Sequence, residues 1–215
     1  MFNIINSKKN LRLSLREEKF SKEYLDLVNF VRNNKGYINP KLIPNETLNI
    51  NRYIITKEII KKDEILLIIP DEILISKLHK SINFKCKEAY GLIEEYEYEC
   101  IVYFMTIDKY NSSSIFKPYY NYLPKINISD FVFSFNEEEQ NLFKDTGITE
   151  GIRRYKFFLD KALRPFEQRL KNFAKKNNIK YEKILEEFKN NFIMVGTRNF
   201  GRKDSFFDVI QWYHI

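Results

Sequence analysis

Ser114-Ile115-Phe116-Lys117-Pro118-Tyr119-Tyr120-Asn121-Tyr122-Leu123-Pro124 puts two prolines and four aromatic rings into eleven residues. Such a run does not read as an ordinary amphipathic helix. Each proline fixes its own φ and pushes the residue before it toward extended geometry, so Lys117 and Leu123 are expected outside the helical basin. The rings need a surface to pack on, which makes the stretch a rigid, packed connection. A loop that plugs a core with aromatics would account for this composition with no further role.

Working outward, 215 residues with 44% hydrophobic content are enough for one medium domain, or a core with a subdomain. Charged residues make up 30% and the net charge is +7, which suits acidic partners. The charge is spread too evenly to mark a nucleic-acid interface, so nucleic acid is not an expected partner. Cys86 and Cys100, with His79 and His214, are too few and too scattered for a zinc site or a disulfide framework, which points to a reducing compartment, cytoplasm or nucleus. No apolar run approaches the roughly 18 residues of a membrane span, the longest obvious one being Ile65 to Ile69, so no membrane partner is expected. Residues 1–19 carry Lys8, Lys9, Arg12 and Arg16 with no acid before Glu17, faintly like an organellar presequence, and read as a basic N-terminal tail.

Helical spacing of Tyr24, Leu25, Leu27, Val28 and Val31 predicts a helix over 20–32, with Gly36 as its terminator. Tyr53 to Thr56 and Ile65 to Ile69 read as the two strands of a hairpin closed by Pro70. Ile101, Val102, Phe104, Met105 and Ile107 predict a buried helix over 97–109 that delivers the chain to the aromatic stretch. Asn136 followed by Glu139 reads as a capping box, with Glu137 and Glu138 in the positive first turn, so these acids need no catalytic role. One long amphipathic helix is predicted over 151–173, kinked near Pro165, and a second, short helix from Tyr181.

The pattern Ser-x-aromatic-x-Pro-Tyr-x-x-x-Leu-Pro resembles a stretch in the split SET-domain methyltransferases, the branch containing the Rubisco large-subunit lysine methyltransferases and their histidine- and lysine-methylating relatives. The resemblance continues through Phe135-Asn136-Glu137-Glu138-Glu139 and on to Phe143, Thr146 and Ile148. Ile60-Lys61-Lys62-Asp63-Glu64 and Ile69-Pro70 resemble the family's Ile-x-x-Gly-Glu turn and Ile-Pro strand end, with Asp63 in the place of the glycine. Val195-Gly196-Thr197-Arg198-Asn199-Phe200 is similar to the family's Val-x-Ser-Arg-x-Phe return to the core, with Thr197 for the serine. The resemblance covers roughly residues 20 to 200.

It implies an α+β fold: a mostly antiparallel SET-type β core interrupted by a helical insert, with the C-terminal part of the core missing. The implied division is 20–150 for the first part of the core, 151–190 for the insert and 191–215 for the return. The implied cofactor is S-adenosylmethionine and the implied partner a protein whose lysine side chain is methylated, histidine being the alternative. Arg198 would pair with the carboxylate of the cofactor's methionine moiety, with Asn199 beside it. Asn51 and Arg52 fall in the cofactor loop, where Asn51 and Tyr53 replace glycines; asparagine tolerates positive φ and tyrosine does so poorly. Tyr213-His214 is at most half of the family's Asn-His pair, and no channel tyrosine follows Arg198. The chain alone is therefore expected to carry part of a site and not to methylate a protein. The alternative is a non-catalytic interaction module whose helices over 151–190 bind a partner.

Overall fold

The structure, a computed structural model, describes residues 20–45, 53–76, 79, 97–125, 131–197, 199–203 and 210–214. The basic tail over 1–19 and Cys86 lie outside the described residues. Helix α1 (Lys22–Asn33) forms where its periodicity predicts it, capped by Ser21, whose side chain accepts from the Tyr24 amide at 3.1 Å. Its inward stripe buries Val28 and Val31. At its C-terminus the Lys35 amide donates to the Arg32 carbonyl and the Gly36 amide to the Val31 carbonyl, the paired bonds of a Schellman motif. Lys35, at φ 68°, takes the left-handed position, so the glycine does a different job. A Cβ on Gly36 would stand 2.5 Å from Val31 Cγ1 and 2.8 Å from the Ile68 carbonyl oxygen, a gap that only glycine leaves open. Gly36→Ala is expected to cost about 1–3 kcal/mol by overpacking, measured as a lowered thermal unfolding midpoint.

After the turn at Gly36 the chain lays down β1 (Tyr37–Ile38), β2 (Leu42–Asn45), β3 (Tyr53–Thr56) and β4 (Leu67–Ile68). The expected hairpin between Tyr53–Thr56 and Ile65–Ile69 does not form. Instead β2 pairs with β3, Leu42 opposite Thr56, and β1 pairs with β4, Tyr37 opposite Ile68. Asn39, buried at the turn between β1 and β2, explains the nesting. Its amide N–H donates to the Leu66 carbonyl at 2.9 Å and its side chain to the Ile65 carbonyl at 2.9 Å and to Glu64 Oε1 at 3.0 Å. These bonds draw the segment after β3 back to β1. Pro44 sits inside β2 at no loss: the Lys57 amide bonds the Lys41 carbonyl, and alternation from there puts Pro44 and Ile54 in a non-hydrogen-bonded pair.

Helix α2 (Glu97–Asp108) is the centre of the core, apolar on every side, with Cys100, Ile101, Val102, Phe104 and Met105 at 1% exposure or less. The aromatic stretch after it was expected to stay out of helical geometry; instead Lys117–Tyr122 forms a short helix, α3, packed on α1. Lys117 and Pro118 occupy its first turn, where a missing N–H breaks no bond and a fixed φ suits the helix. Leu123, at ψ 141°, is extended as Pro124 demands. The capping box is present at α4 (Glu137–Asn141): Asn136 Oδ1 accepts from the Glu139 amide at 3.0 Å and Glu139 Oε2 from the Asn136 amide at 2.8 Å.

The single kinked helix expected over 151–173 is two helices, α5 (Gly147–Leu163) and α6 (Glu167–Lys176). Pro165 has no N–H to continue the ladder, so the chain turns, with the Phe166 amide bonded to the Leu163 carbonyl, and restarts. The helix from Tyr181, expected to be short, is α7 (Tyr181–Thr197) and runs for 17 residues through the region predicted as the return to the core. Its Ile184, Phe188 and Val195 are fully buried in the same cluster as α2. A polar contact inside that interface fixes the register: Asn191 Nδ2 donates to Thr106 Oγ1 at 3.1 Å, and Thr106 Oγ1 to the Val102 carbonyl at 2.7 Å. Strands β5 (Asn199–Lys203) and β6 (Ile210–His214) pair antiparallel, Asn199 opposite His214. Among the described residues the result is mixed: helices around α2 and three two-stranded antiparallel ladders.

Candidate functional site

Of the four residues predicted to meet a cofactor, Asn51, Arg52 and Arg198 lie outside the described residues, and Asn199 is the first residue of β5. Their flanks are described. Asn45 and Tyr53 are partners across the β2–β3 ladder, with Asn45 Nδ2 donating to the Tyr53 hydroxyl at 2.7 Å, so the connection that holds Asn51 and Arg52 starts and ends at that pair. Tyr53 is a strand residue, and the positive-φ residues described are Lys35, Asp63, Asp145 and Asn178. The conflict expected from a tyrosine in a glycine's place therefore does not arise at Tyr53. Asp63, by contrast, has φ 63°, the conformation for which a glycine is suited.

Glu64, next to it, is a clamp. Its carboxylate takes Lys41 Nζ at 2.7 Å, the Lys61 amide at 2.9 Å and Asn39 Nδ2 at 3.0 Å. The Lys41 ammonium above all, then the Lys61 amide and Asn39, hold the carboxyl far below its usual value, at about 2. Because the folded value lies below the unfolded one, this contribution is complete above the ordinary carboxylate pKa of 4.5 and is lost as pH falls toward 2. Amide exchange at Lys61 is accordingly expected to accelerate between those limits relative to exchange in a Glu64→Gln variant.

On the other flank, α7 ends at Thr197, whose hydroxyl donates to the Ile193 and Met194 carbonyls at 3.0 and 3.2 Å. The hydroxyl of Tyr98 donates to the Phe192 carbonyl, and a Cβ on Gly196 would meet that same hydroxyl at 3.0 Å. Burial raises the Tyr98 phenol well above its ordinary pKa, so it remains a donor. The C-terminal part of α7 is thus held to α2 by a protonated tyrosine.

Two clefts flank the aromatic stretch. One, of about 530 Å³, is apolar and brings Tyr24, Tyr53, Tyr119 and Tyr122 together with Ile54 and Leu67. The other, of about 390 Å³, is mixed, with Asn190, Asn191 and the Lys109–Glu187 ion pair at 2.8 Å beside Leu123, Pro124 and Met194. Sequence reasoning missed both, since their walls come from separate segments; the tyrosines of the Pro-Tyr-x-x-x-Leu-Pro stretch were the available signal. Asp108 ties that stretch to α2. Asp108 Oδ2 accepts from Ser114 Oγ at 2.5 Å and from the Tyr120 hydroxyl at 3.2 Å, and Oδ1 from Asn111 Nδ2 at 3.3 Å. His79 Nε2 lies 3.1 Å from the Glu72 carbonyl, which can only accept, so Nε2 carries the proton; burial lowers the imidazole's pKa. Among the described residues no group of histidine, cysteine, aspartate and glutamate could hold a metal ion, and no helix is long and apolar enough to cross a membrane.

No family model and no curated protein matches the chain. Solved structures do. The SET domain of LSMT bound to methyllysine and AdoHcy superposes with a TM-score of 0.66 at 14% identity, over 91% of this chain and 43% of that one. The same domain bound to lysine and AdoHcy gives 0.67 at 12% identity, with the same coverage. Rubisco LSMT bound to sinefungin and monomethyllysine gives 0.61 at 15% identity, over 84% of this chain and 41% of that one. The chain has a SET-like fold and spans less than half the length of these structures.

Proposed function

We propose that this chain forms part of an S-adenosylmethionine-dependent protein-lysine methyltransferase of the split SET branch. The observation that carries the proposal is the superposition of 91% of the chain on SET domains that hold AdoHcy together with lysine or methyllysine. The sequence motifs support the same reading: the Ile-x-x-x-Glu turn at Glu64, the Pro-Tyr-x-x-x-Leu-Pro stretch and the Thr-Arg-x-Phe pattern at Arg198. In this proposal 20–150 and 191–215 belong to the core and 151–190 to the insert.

The donor set fits the cofactor by its chemistry. Guanidinium groups of Arg198 and Arg52 suit a carboxylate, and the amides of Asn51 and Asn199 suit its amine and hydroxyls. When bound, the cofactor supplies an electrophilic methyl group. The protein's part is to hold a lysine amine in line and away from water, since an amine with an ordinary pKa of about 10.4 has to lose its proton before it attacks. The test is ultraviolet cross-linking of radiolabelled S-adenosylmethionine to the purified chain. Labelling that S-adenosylhomocysteine competes away and ATP does not supports the proposal; labelling indifferent to S-adenosylhomocysteine opposes it and favours the non-catalytic interaction module.

A further inference from the structure

We propose that the outward face of α5 docks an acidic, amphipathic segment of another protein, with Phe157 and Phe158 as its apolar anchors. α5 buries Ile152 and Ala162 and packs Tyr155, Leu159 and Leu163 against the core, so its opposite side is left to solvent. On that side Arg153, Phe157, Lys161 and Arg164 follow one another at steps of four, four and three residues, the spacing of a single helix face, with Arg154 alongside. All five are exposed, Phe157 at 62% and its neighbour Phe158 at 55%. The two rings touch each other, with centroids 5.6 Å apart, and form an apolar point on a charged surface. None of these residues lines either cleft.

Charge and geometry identify the occupant. Arg153, Arg154, Lys161 and Arg164 outnumber Glu150 and Asp160, which leaves the face positive. Glu150 pairs with Arg153 at 2.8 Å and with Arg154 at 2.7 Å, and Asp160 with Arg164 at 2.7 Å. Exposed ion pairs of this kind are weak, so a partner's carboxylates can take the place of Glu150 and Asp160 at little cost. A second copy of this chain would bring like charge to the same face and is disfavoured. A bilayer calls for an unbroken apolar stripe. Adjacent helix positions point about 100° apart, so Arg154 and Lys161 project between the directions of Phe157 and Phe158 and break any such stripe. Rings set among cations match a surface on which carboxylates are interleaved with apolar side chains, the pattern of an acidic amphipathic helix.

The experiment titrates the full chain into a fluorescein-labelled peptide of glutamates with a leucine at every third or fourth position, read by fluorescence anisotropy. Poly-L-glutamate supplies charge without apolar anchors, and phosphatidylcholine vesicles containing phosphatidylserine supply a bilayer. The leucine-bearing peptide is expected to bind about tenfold more tightly than poly-L-glutamate, with affinity falling as salt is raised. A Phe157→Ser, Phe158→Ser variant is expected to lose that advantage, and an Arg153→Glu, Lys161→Glu variant to lose binding of both polymers. The urea midpoint of each variant is expected to stay close to the parent's, because all four positions are exposed. If the double phenylalanine variant is destabilised, Phe157→Ser alone decides: weakened binding of the leucine-bearing peptide supports the proposal and unchanged binding overturns it. Equal affinity for the two polymers, an advantage that survives loss of the rings, or ring-dependent binding to the vesicles without binding to the peptide overturns it as well.

Discussion

Phe166→Ala is expected to remove about 3–5 kcal/mol of folding stability, seen as a lower urea midpoint with an unchanged m-value. Phe166 is fully buried, and its ring stacks on Tyr103 of α2 with centroids 4.4 Å apart and planes 7° from parallel. It also stands at the break after Pro165, where the chain leaves α5 and enters α6, so three helices meet around one ring. Alanine would leave a void that backbone pinned by Pro165 cannot close. Phe157→Ala is the contrast: at 62% exposure, it should change stability by no more than about 0.5 kcal/mol. A comparable loss at both positions would mean that α5 and α6 do not pack on α2 in this way.

Asp108→Ala is expected to cost about 2–3 kcal/mol, because it deprives the buried Tyr120 hydroxyl and the half-buried Ser114 hydroxyl of a charged acceptor instead of removing an apolar contact. Asp108 is only 4% exposed, at the C-terminal end of α2, and its carboxylate receives Ser114, Tyr120 and Asn111. Burial and the nearby carboxylate raise the Tyr120 phenol well above its ordinary pKa, so this hydroxyl keeps its proton and needs an acceptor. Asp108→Asn, which retains one acceptor oxygen, should lose clearly less than Asp108→Ala in the same urea titration. Equal losses would show that the carboxylate is not what holds the aromatic stretch in place.

What was legible in the sequence followed from local rules. The spacing of Tyr24, Val28 and Val31 announced α1; the apolar run in α2 announced burial; Asn136 and Glu139 announced a cap that the structure reproduces bond for bond. The failures came where a partner distant in sequence decided. Tyr53 to Thr56 was assigned to the next β-rich run, yet Asn39 captures that run for β1, and β3 pairs with Leu42–Asn45, a segment not read as a strand. The prolines misled in opposite directions: Pro118 was read as excluding a helix that it starts, and Pro165 as bending a helix that it ends. Asp63 was seen as a departure from a glycine position, and it adopts the glycine's backbone conformation. The apolar cleft was invisible because its four tyrosines come from α1, β3 and α3 and meet only in the folded chain.

The central proposal, that this SET-like chain holds S-adenosylmethionine through Arg198, is tested most directly by calorimetric titration of S-adenosylhomocysteine into the purified chain. The parent chain is predicted to give a saturable one-to-one isotherm. Arg198→Ala should weaken it by about 1.5–3 kcal/mol, roughly 10- to 150-fold, through loss of a charge-assisted contact to the ligand carboxylate. An isotherm of equal affinity in Arg198→Ala, or no saturable heat from the parent, would contradict the account.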